Sequence, residues 1–146
     1  MINIPIKKIH ADAIIPRRGS KSAAGFDIYA VLKDAVVIHP KETVKIPTGI
    51  TMAIPEGYFG AIYARSGLAA KEGLRPANCV GVVDSDYRGE VMVALHNDSD
   101  FSRVVNGGDR IAQLIIREYP EVQFTETEEL PETERGLGGF GSTGSR

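Results

Sequence analysis

The sequence predicts a compact all-β domain. Short β-branched runs recur along the chain, and several alternate apolar and polar residues with period two. Glycine, 16 of 146 residues, falls between those runs and not inside long periodic ones. Only one stretch has helical composition, so the crossovers of a dozen or more residues that parallel strands need are missing. Short strands returning through turns are the pattern of a barrel or a sandwich.

In chain order the candidate strands are "IPIKKI", "GFDIYA", "DAVVIH", "TVKIPTGITMAI", "YFGAIYA", "VGVVD", "EVMVALHN" and "RIAQLIIREY". Each is rich in the branched and aromatic residues that pack well on a pleated, half-buried surface, and turn residues bound each one. The helical stretch is "SGLAAKEG", Ser66 to Gly73, about two turns long. After the last run the regime changes. "EVQFTETEELPETER" carries six glutamates against one arginine, and "GLGGFGSTGSR" has five glycines in eleven residues. Neither segment can bury much, so residues 1–130 are expected to form the domain and 131–146 a flexible C-terminal arm.

Composition excludes several functions. The 17 basic and 19 acidic residues nearly cancel, so no general field draws in nucleic acid or a membrane surface. One cysteine, Cys79, cannot form an internal disulfide and fits a lone buried thiol in a reducing compartment. The opening "MINIPIKKIH" lacks the apolar core of a signal peptide, and no window is apolar enough to span a bilayer. A soluble, cytoplasmic protein is expected.

Four polar clusters interrupt the apolar pattern. In "ARSGLAAKEG", Ser66 is either a helix N-cap or, with Gly67 and the fork of Arg65, part of an anion site. "GVVDSDYRGEV" sets Asp84 at a strand end ahead of Asp86, Tyr87, Arg88 and Gly89. This is ordinary turn chemistry, or a carboxylate base beside an aromatic face suited to a sugar or a base. Asp27, entering an apolar strand, is an edge residue or an outer-shell holder of a hard cation. In "GGDRIAQLII", Asp109 and Arg110 read as a turn pair, and Gln113 as an outward strand residue or a ligand donor. Phe140 lies alone among glycines, where an arm closing over a ligand or a weak surface contact would account for it. The chain lacks a P-loop, a dinucleotide fingerprint and any His-Cys metal spacing.

Five ordered stretches then carry a resemblance: "AAGFDIYA", "PEGYFGAIYARSGLAA", "NCVGVVDSDYRGEV", "GGDRIAQLI" and "RGLGGFGSTG". Together they resemble the trimeric all-β deoxyuridine triphosphate nucleotidohydrolases, the dUTPases, over nearly the whole chain. The resemblance implies a jelly-roll-like β-barrel with one short helix and a glycine-rich C-terminal arm. It implies Mg²⁺-dependent hydrolysis of dUTP to dUMP and pyrophosphate by water attacking the α-phosphorus, which limits uracil incorporation into DNA and supplies dUMP for thymidylate synthesis. Asp84 would be the catalytic base, and Asp27 would reach the Mg²⁺ through water, the ion being held mainly by the substrate phosphates. Asn78, the backbone of Val82, Val83 and Asp84, and Met92 would read the uracil edge. Tyr87 would pack under the deoxyribose and exclude a 2′-hydroxyl. Arg65, Ser66, Gly67 and Gln113 would hold the phosphates. From the arm, Phe140 would stack on uracil while Arg135, Gly141, Ser142 and Thr143 close over the terminal phosphates. A homotrimer with shared sites is implied, each arm serving a neighbour. Related deoxycytidine triphosphate deaminases would need a carboxylate base that this motif set does not supply, and a binding-only protein would have no use for Asp84. Two positions depart from many relatives: Glu72 stands in place of a histidine, and "LRPANC" keeps Asn78 with proline and alanine ahead of it.

Overall fold

A computed structural model describes residues 2–78 and 80–139. Twelve strands form among them: β1 Ile6–Lys8, β2 Arg17–Arg18, β3 Phe26–Tyr29, β4 Val36–Ile38, β5 Thr43–Pro47, β6 Ile50–Met52, β7 Tyr58–Tyr63, β8 Leu74–Pro76, β9 Gly81–Val83, β10 Met92–Asn97, β11 Arg103–Val105 and β12 Arg110–Glu118. A single helical element, the π-helix Leu68–Glu72, follows β7. The run "TVKIPTGITMAI" becomes two strands because the chain turns at Gly49, whose φ of +65° suits glycine. A β-carbon at Gly49 would also lie 2.8 Å from that of Ala13. No helix among the described residues is long and apolar enough to cross a membrane.

Among the described residues the expected jelly-roll-like β-barrel does not form. The strands make four open sheets, ordered β1-β6, β5-β10-β8, β11-β4 and β2-β3-β12-β7-β9, and the two ends of the largest sheet do not pair with each other. Closure needs a ladder that runs continuously round the axis with a fixed stagger. Strands of two or three residues, such as β2, β4 and β9, are too short to carry the ladder across the gaps. The sheets are held together by a shared apolar core instead. Ile28, Ile38, Ile46, Ile50, Leu95 and Ile111 are almost wholly removed from water there, each worth roughly 1.5–3 kcal/mol of burial.

Alternation places side chains as the sequence predicts. Along β10, Val93, Leu95 and Asn97 point inward. Asn97 is fully buried and satisfied, its amide donating to the Ile38 and Phe101 carbonyls at 2.9 and 2.8 Å while its oxygen accepts from Ser99 N. It ties β10 to the β4 end and to the loop that leads into β11. Beyond β12, residues 119–130 form no strand and are exposed.

Candidate active site

The first polar cluster is built across the five-stranded sheet. Asp27 on β3 stands opposite Arg17 on β2 and Gln113 on β12, and Gln113 stands opposite Tyr63 on β7. Directly opposed residues share a sheet face, so these four form a row. The Asp27 carboxylate, 14% exposed, accepts a hydrogen bond from Arg65 Nε at 2.9 Å through Oδ1 and faces Arg110 Nη1 at 3.3 Å through Oδ2. Two arginines therefore converge on one aspartate, and Arg65 also reaches the Arg110 carbonyl at 3.4 Å. Gln113 Nε2 donates to the Ala64 carbonyl at 2.8 Å, which fixes the amide and turns its oxygen toward Gly25.

Ser66 and Gly67 lie exposed just past Arg65. The capping alternative for Ser66 fails, because Gly67 occupies the cap position in helical conformation and no side chain caps the element. Nothing lies within 4 Å of where a Gly67 β-carbon would sit, so the backbone there is open to an approaching group.

The second cluster is the loop between β9 and β10. Asp84 follows the last residue of β9, and its carbonyl accepts the Tyr87 N–H at 3.2 Å. Among the described residues, none engages the Asp84 carboxylate. Arg88 donates to the Ser85 and Tyr87 carbonyls at 2.6 and 2.9 Å, and Thr51 Oγ1 on β6 donates to the Arg88 carbonyl at 2.7 Å. The Tyr87 hydroxyl donates to the Glu90 carbonyl at 2.9 Å. A β-carbon at Gly89 would lie 2.5 Å from the Tyr87 ring carbon Cζ, so a larger residue there would displace that ring. Val82, Tyr87 and Met92 are exposed apolar groups, whereas Val83 points into the core. Asn78 sits next to Gly81, whose missing side chain leaves its amide room. Next to Asp84 a groove is lined by Phe59, Val82, Ser85, Asp86 and Tyr119, with the Phe59 and Tyr119 rings 6.3 Å apart.

The two clusters do not meet within one chain. Val83 stands opposite Gly60 on β7, while Gln113 stands opposite Tyr63, three positions further on. That offset is roughly 10 Å of strand, and Arg65 lies beyond Tyr63 in the direction leading away from Asp84.

The other expected residues are scattered. Arg135 is exposed and donates from Nε to the Gly138 carbonyl at 2.9 Å. Cys79, Phe140, Gly141, Ser142 and Thr143 lie outside the described residues. Arg110 is an addition: its sequence reads as half of a turn pair, yet the side chain turns to Asp27. The rest of the turn reading holds, with Asp109 Oδ2 accepting from Asn106 N at 2.7 Å. Among the described residues, no three of His, Cys, Asp and Glu converge on a common point.

Comparison with known proteins gives matches in both sequence and structure. The dUTPase family profile matches residues 11–144. A deoxyuridine 5′-triphosphate nucleotidohydrolase of Wolbachia pipientis subsp. Culex pipiens (strain wPip) is 46% identical, with 98% of this chain and 96% of that protein aligned. One from Syntrophotalea carbinolica is 45% identical over 98% of this chain and 97% of its own. Among solved structures, the dUTPase of Staphylococcus bacteriophage 80alpha, a G164S mutant with dUpNHpp, superposes with a TM-score of 0.89 at 29% identity, covering 99% of each chain.

Proposed function

The chain belongs to the dUTPase family, and from that premise we propose that it hydrolyses dUTP to dUMP and pyrophosphate. The contrast between two of its aspartates, Asp27 and Asp84, carries the reading. Asp27 is held between Arg65 and Arg110, whereas the Asp84 carboxylate has no partner among the described residues and projects from the end of β9. Both oxygens of Asp27 are already engaged by guanidinium groups. A carboxylate left free on a rigid strand end can orient a water and take its proton.

In this reading Asp84 aligns the water that attacks the α-phosphorus, and positioning supplies most of the rate. Arg65, with Ser66, Gly67 and Gln113, receives the phosphates where the backbone is open and the guanidinium is held in place by Asp27. The exposed Val82, Met92 and Tyr87 form an apolar rim for the nucleoside, with Asn78 and the backbone of Val82 to Asp84 at the uracil edge. Tyr87 supports the deoxyribose and excludes a 2′-hydroxyl.

Asp27 fits a Mg²⁺ ion bound by the substrate phosphates through water. Each of its oxygens already faces an arginine, which leaves a lone pair apiece that would accept from a water coordinated to the ion. When bound, the ion offsets charge on the departing pyrophosphate.

Because Asp84 and the arginine cluster lie apart in one chain, a complete site takes Asp84 from one subunit and the arginine cluster from another. A homotrimer in which residues 131–146 of a neighbour close over the nucleotide fits that separation. Closure would bring Arg135, Phe140, Gly141, Ser142 and Thr143 onto the uracil and phosphates and exclude bulk water. The test is pyrophosphate release by the purified protein with Mg²⁺ on dUTP, UTP, dTTP and dCTP. Release from dUTP alone, with dUMP as product, is expected. Folded protein inactive on all four overturns the proposal.

A further inference from the structure

We propose that Glu90 is the positioning residue that sets the Tyr87 ring, and through it the discrimination between deoxyribose and ribose. The inference rests on the role given to Tyr87 above. That ring is 45% exposed, so burial does not hold it in place. Two contacts do: the backbone of Gly89 against its edge, and the hydroxyl donating to the Glu90 carbonyl at 2.9 Å.

The Glu90 carbonyl can define the ring only if residue 90 is itself fixed. Its carboxylate accepts the Gly49 N–H at 2.7 Å, and the next residue is anchored on both sides, Val91 N donating to the Ile50 carbonyl at 2.9 Å and Thr48 Oγ1 to the Val91 carbonyl. Gly49 is a firm anchor. Its left-handed turn, with φ of +65°, is packed against Ala13, His10 and Val31 closely enough that a β-carbon would lie 2.8–3.1 Å from each. A relay therefore runs from the Gly49 amide through the Glu90 side chain to the Glu90 carbonyl and the Tyr87 hydroxyl. The side chain at 90 must be an acceptor of glutamate length. Glutamine meets that need and alanine does not.

A merely structural Glu90 would change thermal stability and leave substrate choice alone, so the informative readout is the ratio of kcat/KM for dUTP to that for UTP. Glu90→Ala is expected to lower that ratio about tenfold, the loss of roughly one hydrogen bond, while Glu90→Gln stays within about twofold of wild type because its amide oxygen still accepts from Gly49. An unchanged ratio in folded Glu90→Ala, or a fall in Glu90→Gln as large as that in Glu90→Ala, overturns the proposal. Should Glu90→Ala fail to fold, Tyr87→Phe cuts the same relay at its other end and is expected to relax the ratio in the same direction; an unchanged ratio there overturns it too. Wild type inactive on dUTP would remove the functional reading and this inference with it, an outcome separate from all of these.

Discussion

Gly25 lies against Gln113 so closely that a β-carbon at Gly25 would come within 2.5 Å of the Gln113 amide oxygen. The obstacle is a side chain on the neighbouring strand, itself held by the Ala64 carbonyl. Gly25→Ala must therefore push Gln113 out of its place or shift β3 from β12. The expected result is a loss of about 1–3 kcal/mol of stability together with a raised KM for dUTP. A variant that melts with wild type and binds dUTP unchanged would show that the strands absorb a methyl group there.

Asp84→Asn keeps the shape of the loop and removes the proton acceptor. Turnover is expected to fall by about 10²–10⁴-fold, the usual worth of a positioned base, with the affinity for a non-hydrolysable dUTP analogue retained. Single-turnover kinetics and calorimetric titration separate the two quantities. Near-normal turnover would rule out Asp84 as the base.

Asn97 carries a different kind of weight. It is fully buried, and its amide bridges Ile38 to the loop at Ser99 and Phe101. Asn97→Leu takes the amide from the Ile38 carbonyl and the Ser99 N–H, at about 1–3 kcal/mol for each group so stranded, while the Phe101 carbonyl still accepts from the Ser99 hydroxyl. Urea melts should show a loss of several kcal/mol, and a loss below about 1 kcal/mol would mean that water enters to replace the amide.

Acid should weaken one surface contact in a definite direction. The Arg75 guanidinium, hydrogen-bonded to Asp98 through both of the aspartate's oxygens, holds that carboxyl below its usual range, with His96 and Lys41 adding to the pull. Lowered in the folded state, the group contributes stability above its unfolded pKa of about 3.9, and that contribution is lost as pH falls through the lower folded value. The difference in Tm between wild type and Asp98→Asn should shrink as pH falls below about pH 4. A difference that grows below that pH contradicts the pairing.

Truncation after Leu130 tests the arm. Residues 119–130 are exposed and form no strand, and the apolar core cluster lies within residues 4–116. The shortened chain should keep its circular dichroism and melting temperature while losing most of its hydrolysis of dUTP. Unfolding of that chain would place the arm in the core.

The sequence made the long strands legible: β7, β10 and β12 lie where the β-branched runs predict, and along β10 buried positions alternate as the period-two pattern requires. It did not reveal β2, β8 and β11, which are two or three residues long and too short to show a period. Nor could alternation say whether the sheets close, since that depends on register between strands far apart in the chain, and the jelly-roll-like barrel was the wrong expectation. Arg110 was missed for the same reason. "GGDR" is a turn in one dimension, and only the β3–β12 register, with its irregularity between Arg110 and Ala112, carries the guanidinium to Asp27. Glu90 left no signal in its own spacing, because its partner Gly49 lies on a different turn. Asp27, Arg65 and Gln113 were legible as polar intruders in apolar runs, and the structure does bring them together.

The placement of Asp84 and Arg65 toward opposite ends of β7 also has a genetic meaning. If each whole site joins one end of one copy to the other end of the next, lesions at the two ends behave as separate complementation groups within a single gene. A chain with Asp84→Asn still offers a sound arginine cluster, and one with Arg65→Ala still offers a sound aspartate. Two dead alleles expressed together would then regenerate live sites wherever their intact halves meet. Either allele expressed beside wild type would in turn spoil sites that wild-type chains help to build, so the mutant phenotype would be partly dominant.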